Sequence, residues 1–316
     1  MVGARIVISA VFAAWIVTAG ARAAQSETTS PFVLGAAHQA PLLSIEPFAR
    51  FTGSRWVNTW PPADESNKPA PALDRVPAGW LAKPVPREWT LWPTTGAPIK
   101  ATITGIARED GGCTAPLVLT LAPADALDIA FADDNGPPLI AVDTQQPIEG
   151  VRRMRPTDAE WQPLTQVIEQ AFRANEPRFL MAPSTRSLVE TARRELDFTM
   201  LEIDTASLTR AARELEPSLY YFEAQKQTTL KSGLLFGIKA RGWLRRNGTT
   251  WSAVGVTGAP FDEEGLSSVT PLGIVRASGR VFWVSMITYY ESMEFAIDEI
   301  LPQGSRRLLR AGGGGC

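Results

Sequence analysis

The residue types that most often carry out chemistry are scarce in this 316-residue chain, which has one histidine, His38, and two cysteines, Cys113 and Cys316. A single histidine argues against a Ser-His-Asp or Cys-His nucleophile and against most zinc sites. The sequence contains no Walker loop, no dinucleotide fingerprint and no HExxH. What remains open is carboxylate chemistry, since two Asp or Glu side chains ~5–10 Å apart can hydrolyse glycosides without histidine. Glu223, Glu291 and Glu294 lie in or beside aromatic-rich runs, where burial would raise a carboxyl pKa. Outward-facing charges on strands explain the same residues more simply. The sequence therefore assigns no catalytic residue, no metal ligand and no cofactor.

Candidates for binding are aromatic. Trp56, Trp60, Trp89 and Trp92 fall in a segment with eight prolines between Pro61 and Pro93. Flat rings of this kind stack on sugars or hold proline-rich peptides. The competing expectation is a loop stapled to a sheet, because tryptophan is usually buried. Lys239 and Arg241 beside Trp243 could make an anion or cation–π site, against the plainer reading of aliphatic stems lying along an apolar face. The acidic runs Asp133–Gly136 and Asp262–Gly265 lack the ligand spacing of a calcium loop and read as turns. Asn247-Gly248-Thr249 matches a glycosylation sequon, but a hairpin turn accounts for it.

The elements that would position these residues are mostly strands. Thr270 to Leu301 reads as three antiparallel strands, with a two-residue turn at Ser278-Gly279 that sets Val275 opposite Phe282 and Ile274 opposite Trp283. The middle strand, Val281 to Tyr290, is apolar on both faces and should be covered twice. In the third, Met293, Phe295 and Ile297 point inward, while Glu294 and Asp298 point outward. A second hairpin turns at Asn247-Gly248 between Leu234–Arg245 and Thr249–Val256. It places Ala240, Gly242 and Leu244 on one face, and Trp243 with Val254 and Val256 on the other.

Farther upstream, Ile99 to Ile106, Cys113 to Leu121 and Leu139 to Val142 read as a small antiparallel unit, with a phase shift at Gly105. Helical spacing of Trp161, Leu164, Val167, Ile168 and Phe172 predicts a helix. Ser187 to Leu196 predicts another, with a Ser187/Glu190 capping box and a strand by Phe198. The fold class expected is mainly β (α+β): antiparallel sheets with a C-terminal β-meander and a helical insert in the middle.

Residues 1–23 read as a signal peptide, with Arg5, an apolar run of about 14 residues and Ala21-Arg22-Ala23 as the cleavage site. Then follow a flexible leader (24–47), the Trp/Pro-rich segment with its β unit (48–150), a helical insert (151–197), an antiparallel region (198–302) and a flexible glycine-rich tail (303–316). The apolar run is shorter than the ~20 residues of a spanning helix. Charge is nearly balanced, with 31 basic and 33 acidic side chains, so nothing attracts nucleic acid. The two cysteines are expected to stay unpaired. These features describe a periplasmic or secreted protein, with no membrane span after signal cleavage, that binds an unidentified protein or glycan or serves a structural role. The alternative is a carbohydrate-active hydrolase with paired carboxylates.

Overall fold

The computed structural model describes residues 30–39, 42–61, 69–77, 79–93, 97–109, 115–123, 137–211, 218–263, 265 and 267–312. Residues 1–23, expected as a signal peptide, both cysteines, the turn at 110–112 and the runs at 130–131 and 133–136 lie outside the described residues.

Strands β1 (Phe32–His38), β2 (Ser44–Phe51), β3 (Trp56–Val57), β4 (Glu88–Trp92), β5 (Ile99–Arg108), β6 (Leu117–Leu121) and β7 (Leu139–Val142) form one antiparallel sheet in the order β1-β7-β4-β5-β6-β2-β3. Because β1 also pairs with β2, six strands close into a barrel and β3 hangs from β2. Side chains alternate across the barrel wall as the two-residue period requires. Val33, Ala37, Trp89, Leu91, Leu119 and Ala141 fill the interior, while Phe32, Leu34, Ile140 and Val142 face out. The phase shift at Gly105 is a register break between β5 and β6.

This barrel corrects the flexible leader expected over 24–47, because 32–38 and 44–47 are buried strand. Both faces of β1 are covered, so its sequence shows no alternation of polar and apolar residues. Proline 47 is tolerated in β2 because it sits at the bulge where the register with β1 slips.

Ten further strands build two five-stranded antiparallel sheets. One runs β13 (Thr250–Phe261), β12 (Leu235–Asn247), β11 (Leu219–Thr229), β10 (Asp204–Ala211), β9 (Val151–Arg153). The other runs β17 (Gly304–Ala311), β16 (Met293–Leu301), β15 (Arg280–Thr288), β14 (Ser268–Ala277), β8 (Ile148–Glu149). The second sheet is the middle of the molecule. Phe282, Val284, Phe295 and Ile297 pack against the outside of the barrel, and Ile274, Trp283, Ile287 and Ala296 pack against the first sheet. Two aromatic contacts mark the interfaces: Phe48 stacks on Phe295 at 4.5 Å, and Trp243 meets Trp283 edge-on at 4.9 Å.

The meander follows the expected register, with Val275 opposite Phe282 and Ile274 opposite Trp283. Ser278 and Gly279 take the left-handed φ values of 50° and 71° that a two-residue hairpin needs. Two expectations fail here. The tail is strand β17 as far as Ala311, not a flexible appendage. Asp298 is not outward-facing either, being only 7% exposed, and it accepts a hydrogen bond from Arg307 at 2.7 Å. Arg307 stands directly across from Asp298, and Arg306 from Glu299, so β17 carries the cations that let β16 bury its carboxylates.

Helices α1 (Trp161–Phe179) and α2 (Arg186–Arg193) cover the outer face of the first sheet. Leu164, Ile168 and Phe172 form the buried stripe of α1, as their spacing predicts. The insert starts after 153, because Val151–Arg153 is β9. The capping box does not form, since α2 has no side-chain cap at Thr185. Instead of a strand at Phe198, a single 3-10 turn (Phe198–Met200) is capped by Asp197, whose carboxylate accepts from Thr199 N at 3.0 Å. Gly258 lets α1 approach, since a Cβ there would lie 2.6 Å from the Lys239 carbonyl and 3.0 Å from the Phe179 ring. Under the helix, the side chain of Lys226 is fully buried, donating to both oxygens of Glu176 (3.0 and 2.9 Å) and to the Phe198 carbonyl at 3.1 Å.

Two stability outcomes follow from these contacts. Trp283→Ala removes a side chain 1% exposed at the inter-sheet contact and should cost ~3–5 kcal/mol in thermal or chemical denaturation. Glu176→Ala strands the Lys226 ammonium without its anion and should cost ~3–5 kcal/mol, whereas the double change Glu176→Leu with Lys226→Met should recover most of it. Denaturation midpoints of the single and double variants check this, and equal losses in both would contradict it.

Candidate functional site

The tryptophans expected to bind ligand are divided between two cores. Trp56 packs edge-on against Phe282 at 5.4 Å in the barrel-to-sheet core, and Trp92 lies against the same cluster. Trp60 and Trp89 belong to the barrel interior, where Trp89 is fully buried and the Trp60 indole donates to the Leu117 carbonyl at 2.7 Å. The structure brings no set of these rings to one groove; they do the stapling that the proline-rich segment needs.

The carboxylates singled out from sequence have separate fates. Glu291 is exposed in the β15–β16 loop. Glu294 accepts from the Tyr289 hydroxyl at 2.6 Å and pairs with Arg310 at 3.1 Å. Glu223 is buried between the two flat sheets, accepting weakly from Val269 N at 3.3 Å and the Tyr221 hydroxyl at 3.4 Å. Burial pushes its carboxyl pKa up, offset in part by the charge of Lys239.

Glu223 leads to the site. Strand alternation puts Lys239, Arg241 and Trp243 on the face of β12 that looks toward the middle sheet. Cross-strand pairing then forms two rows, Glu223–Arg241–Thr257 and Gln225–Lys239–Ala259. A bulge between Arg241 and Trp243 ends this regular stretch. It also corrects the expected hairpin face: Val254 stays with Trp243, but Val256 swings to the helix side. The β13–β14 loop folds over the rows, tied by Gly265 N to Asp262 at 2.8 Å and by Lys239 Nζ to the Ser267 carbonyl at 2.7 Å.

Between loop and sheet lies a pocket of about 180 Å³, with Lys239, Arg241, Thr257, Ala259, Phe261 and Ser267 on its walls. The Phe261 ring lies over Gly237, where a Cβ would come within 2.1 Å of it, so glycine is what admits the ring as a wall. Burial lowers the Lys239 pKa despite the Glu223 carboxylate nearby. The field of Arg241 also reaches Tyr221, Glu223 and Tyr289.

Charge in this region is unevenly matched. Across the gap, Asp298 is held by Arg307 and Glu294 by Arg310. On β11 and β12, Lys239 and Arg241 share the nearby Glu223 without an ion pair among the described residues. The pocket therefore sets two unpaired cations beside an apolar wall, which suits an anionic group. Among the described residues, no group of three or more His, Cys, Asp or Glu is placed to hold a metal ion, and no helix is long and apolar enough to cross a membrane. Sequence reading found Lys239 and Arg241 but missed Thr257, Ser267 and the Phe261 wall. Only pairing across β12–β13 and closure of a distant loop bring these together.

Two titratable groups in the barrel lie far in sequence from this pocket. His38 ends β1, and burial lowers its pKa to about 4, so the ring stays neutral. Asp143, just after β7, accepts from Val33 N at 2.7 Å, and burial raises its pKa to about 6, offset by that hydrogen bond and by Arg50. A carboxyl whose folded pKa lies above its unfolded value of about 3.8 favours the fold while protonated. Its contribution is lost as pH rises from about 4 through 6. Asp143→Asn keeps an acceptor for Val33 but cannot ionise. Its stability relative to the parent should improve by on the order of 2 kcal/mol across that window. Urea midpoints of both proteins from acid to neutral pH check this; a constant difference would remove Asp143 as the cause. Taking the difference cancels His38, which acts in the opposite sense.

Geometry and sequence are the sole basis for assigning a role, for no protein-family model, no curated protein and no solved structure matches this chain.

Proposed function

We propose that this is an exported, non-catalytic binding protein whose ligand enters the pocket above Lys239 and Arg241. The observation that carries the reading is a pair of cations, Lys239 and Arg241, on the pocket wall with no ion-pair partner among the described residues, in a region where the neighbouring carboxylates Asp298 and Glu294 each have an arginine of their own. A polar cluster kept partly uncompensated costs stability, and a bound anion would restore the balance. The small volume favours a small molecule over a polymer chain. The arginine partners of β16 also count against paired-carboxylate hydrolysis, because Asp298 and Glu294 already spend their oxygens on Arg307, Tyr289 and Arg310. Export rests on the apolar run and the Ala21-Arg22-Ala23 site.

Ala259 lines the pocket on the exposed edge strand β13, so Ala259→Trp should fill it and leave the fold intact. Protein purified natively from the exported fraction should begin near Ala24 and release a small molecule on denaturation that mass spectrometry detects. The Ala259→Trp protein should release none. Equal recovery from both proteins would move the ligand site elsewhere, and a retained Met1 would count against export.

A further inference from the structure

We infer that the pocket over β12 and β13 takes a short-chain carboxylate, with its charge on Lys239 and Arg241 and its hydrocarbon part on Pro260 and Phe261. This rests on the pocket being the ligand site and adds the chemical class.

Charge is the first argument. Neither Lys239 nor Arg241 makes an ion pair among the described residues, whereas Asp298 and Glu294 on the facing sheet are taken by Arg307 and Arg310 of β17. The two pocket cations are therefore open to an anionic group.

Geometry is the second argument. The Lys239 ammonium spends one of its donors on the Ser267 carbonyl, which leaves two for a ligand, since an ammonium has three. The Arg241 guanidinium makes no hydrogen bond among the described residues and is set between Glu223 and Thr257 in its cross-strand row. A planar guanidinium fork and a point-charge ammonium on alternate residues of one strand fit the two oxygens of a carboxylate.

Apolar surface is the third. Pro260 and Phe261 are buried, Ala259 presents a methyl, and together they form a wall that a bare oxyanion would leave unused. At about 180 Å³ the space admits a few carbons besides the carboxylate.

The test titrates the full exported chain with sodium butyrate, inorganic phosphate, glucose and sodium chloride at constant ionic strength, reading thermal melting. Lys239→Gln, Arg241→Gln and Ala259→Trp are run beside it. Butyrate should raise the melting temperature of the parent saturably, beyond chloride at matched ionic strength. Its apparent affinity should fall about ten-fold or more in each charge variant, as loss of a charge-assisted hydrogen bond implies. Ala259→Trp, which keeps both cations, should abolish the response; this guards against a charge variant that is merely misfolded. Stabilisation by phosphate or glucose in place of butyrate overturns the carboxylate class and leaves the pocket as the ligand site. An equal butyrate effect in parent and variants, or none in any, overturns the inference. The separate recovery of a native ligand from parent but not Ala259→Trp then shows whether the pocket itself survives as the site.

Discussion

Strand β15 carries large apolar side chains on both faces, and a strand of that kind has to be covered twice. Phe282 and Val284 need one partner surface, and Trp283 and Ile287 need another. The barrel supplies the first and the β9–β13 sheet the second. Each of those in turn has a further face to satisfy. The barrel does so by closing on its own interior, and the sheet does so with two helices. The stacking of barrel, sheet, sheet and helices is thus a chain of obligations that begins at one doubly apolar strand.

Charges are arranged around the same constraint. Burying β16 against two neighbours would desolvate Asp298 and Glu299, which is costly without partners. Arginines of β17 stand opposite them, and Arg280 adds a second contact that helps hold the Glu299 carboxyl down at about 2. Lys226 and Glu176 solve the same problem beneath the helix. Lys239 and Arg241, by contrast, make no ion pair among the described residues. They sit at the rim of the inter-sheet space rather than in its middle, where solvent or a ligand can reach them.

Burial also explains why Trp56, Trp60, Trp89 and Trp92 are divided between two cores. The segment pairs in the sheet only at its ends, through β3 and β4, and between them it is held by large apolar side chains such as Trp60, Leu73, Val76 and Leu81. Trp56, Trp89 and Trp92 leave their indole N–H groups buried without a partner among the described residues. Their contribution is therefore apolar contact.

The sequence by itself determined the local pieces: the Ser278-Gly279 hairpin and its register, the twofold covering of β15, the return strand with Leu117, Leu119 and Leu121, and the apolar stripe of α1. Each depends on periodicity or turn chemistry within about a dozen residues, which a linear reading can see. Sequence could not show β1 and β17 as strands. In β1, burial of both faces erases the alternating pattern, and in β17 the run of arginines resembles a solvated tail until its carboxylate partners are placed beside it. The bulge in β12–β13, which turns Val256 away from Trp243, was likewise invisible. Lys239 and Arg241 were legible as alternating cations on one face. That they line a pocket and make no ion pair among the described residues was decided by tertiary structure alone: a charge is unpaired only relative to the neighbours that folding provides.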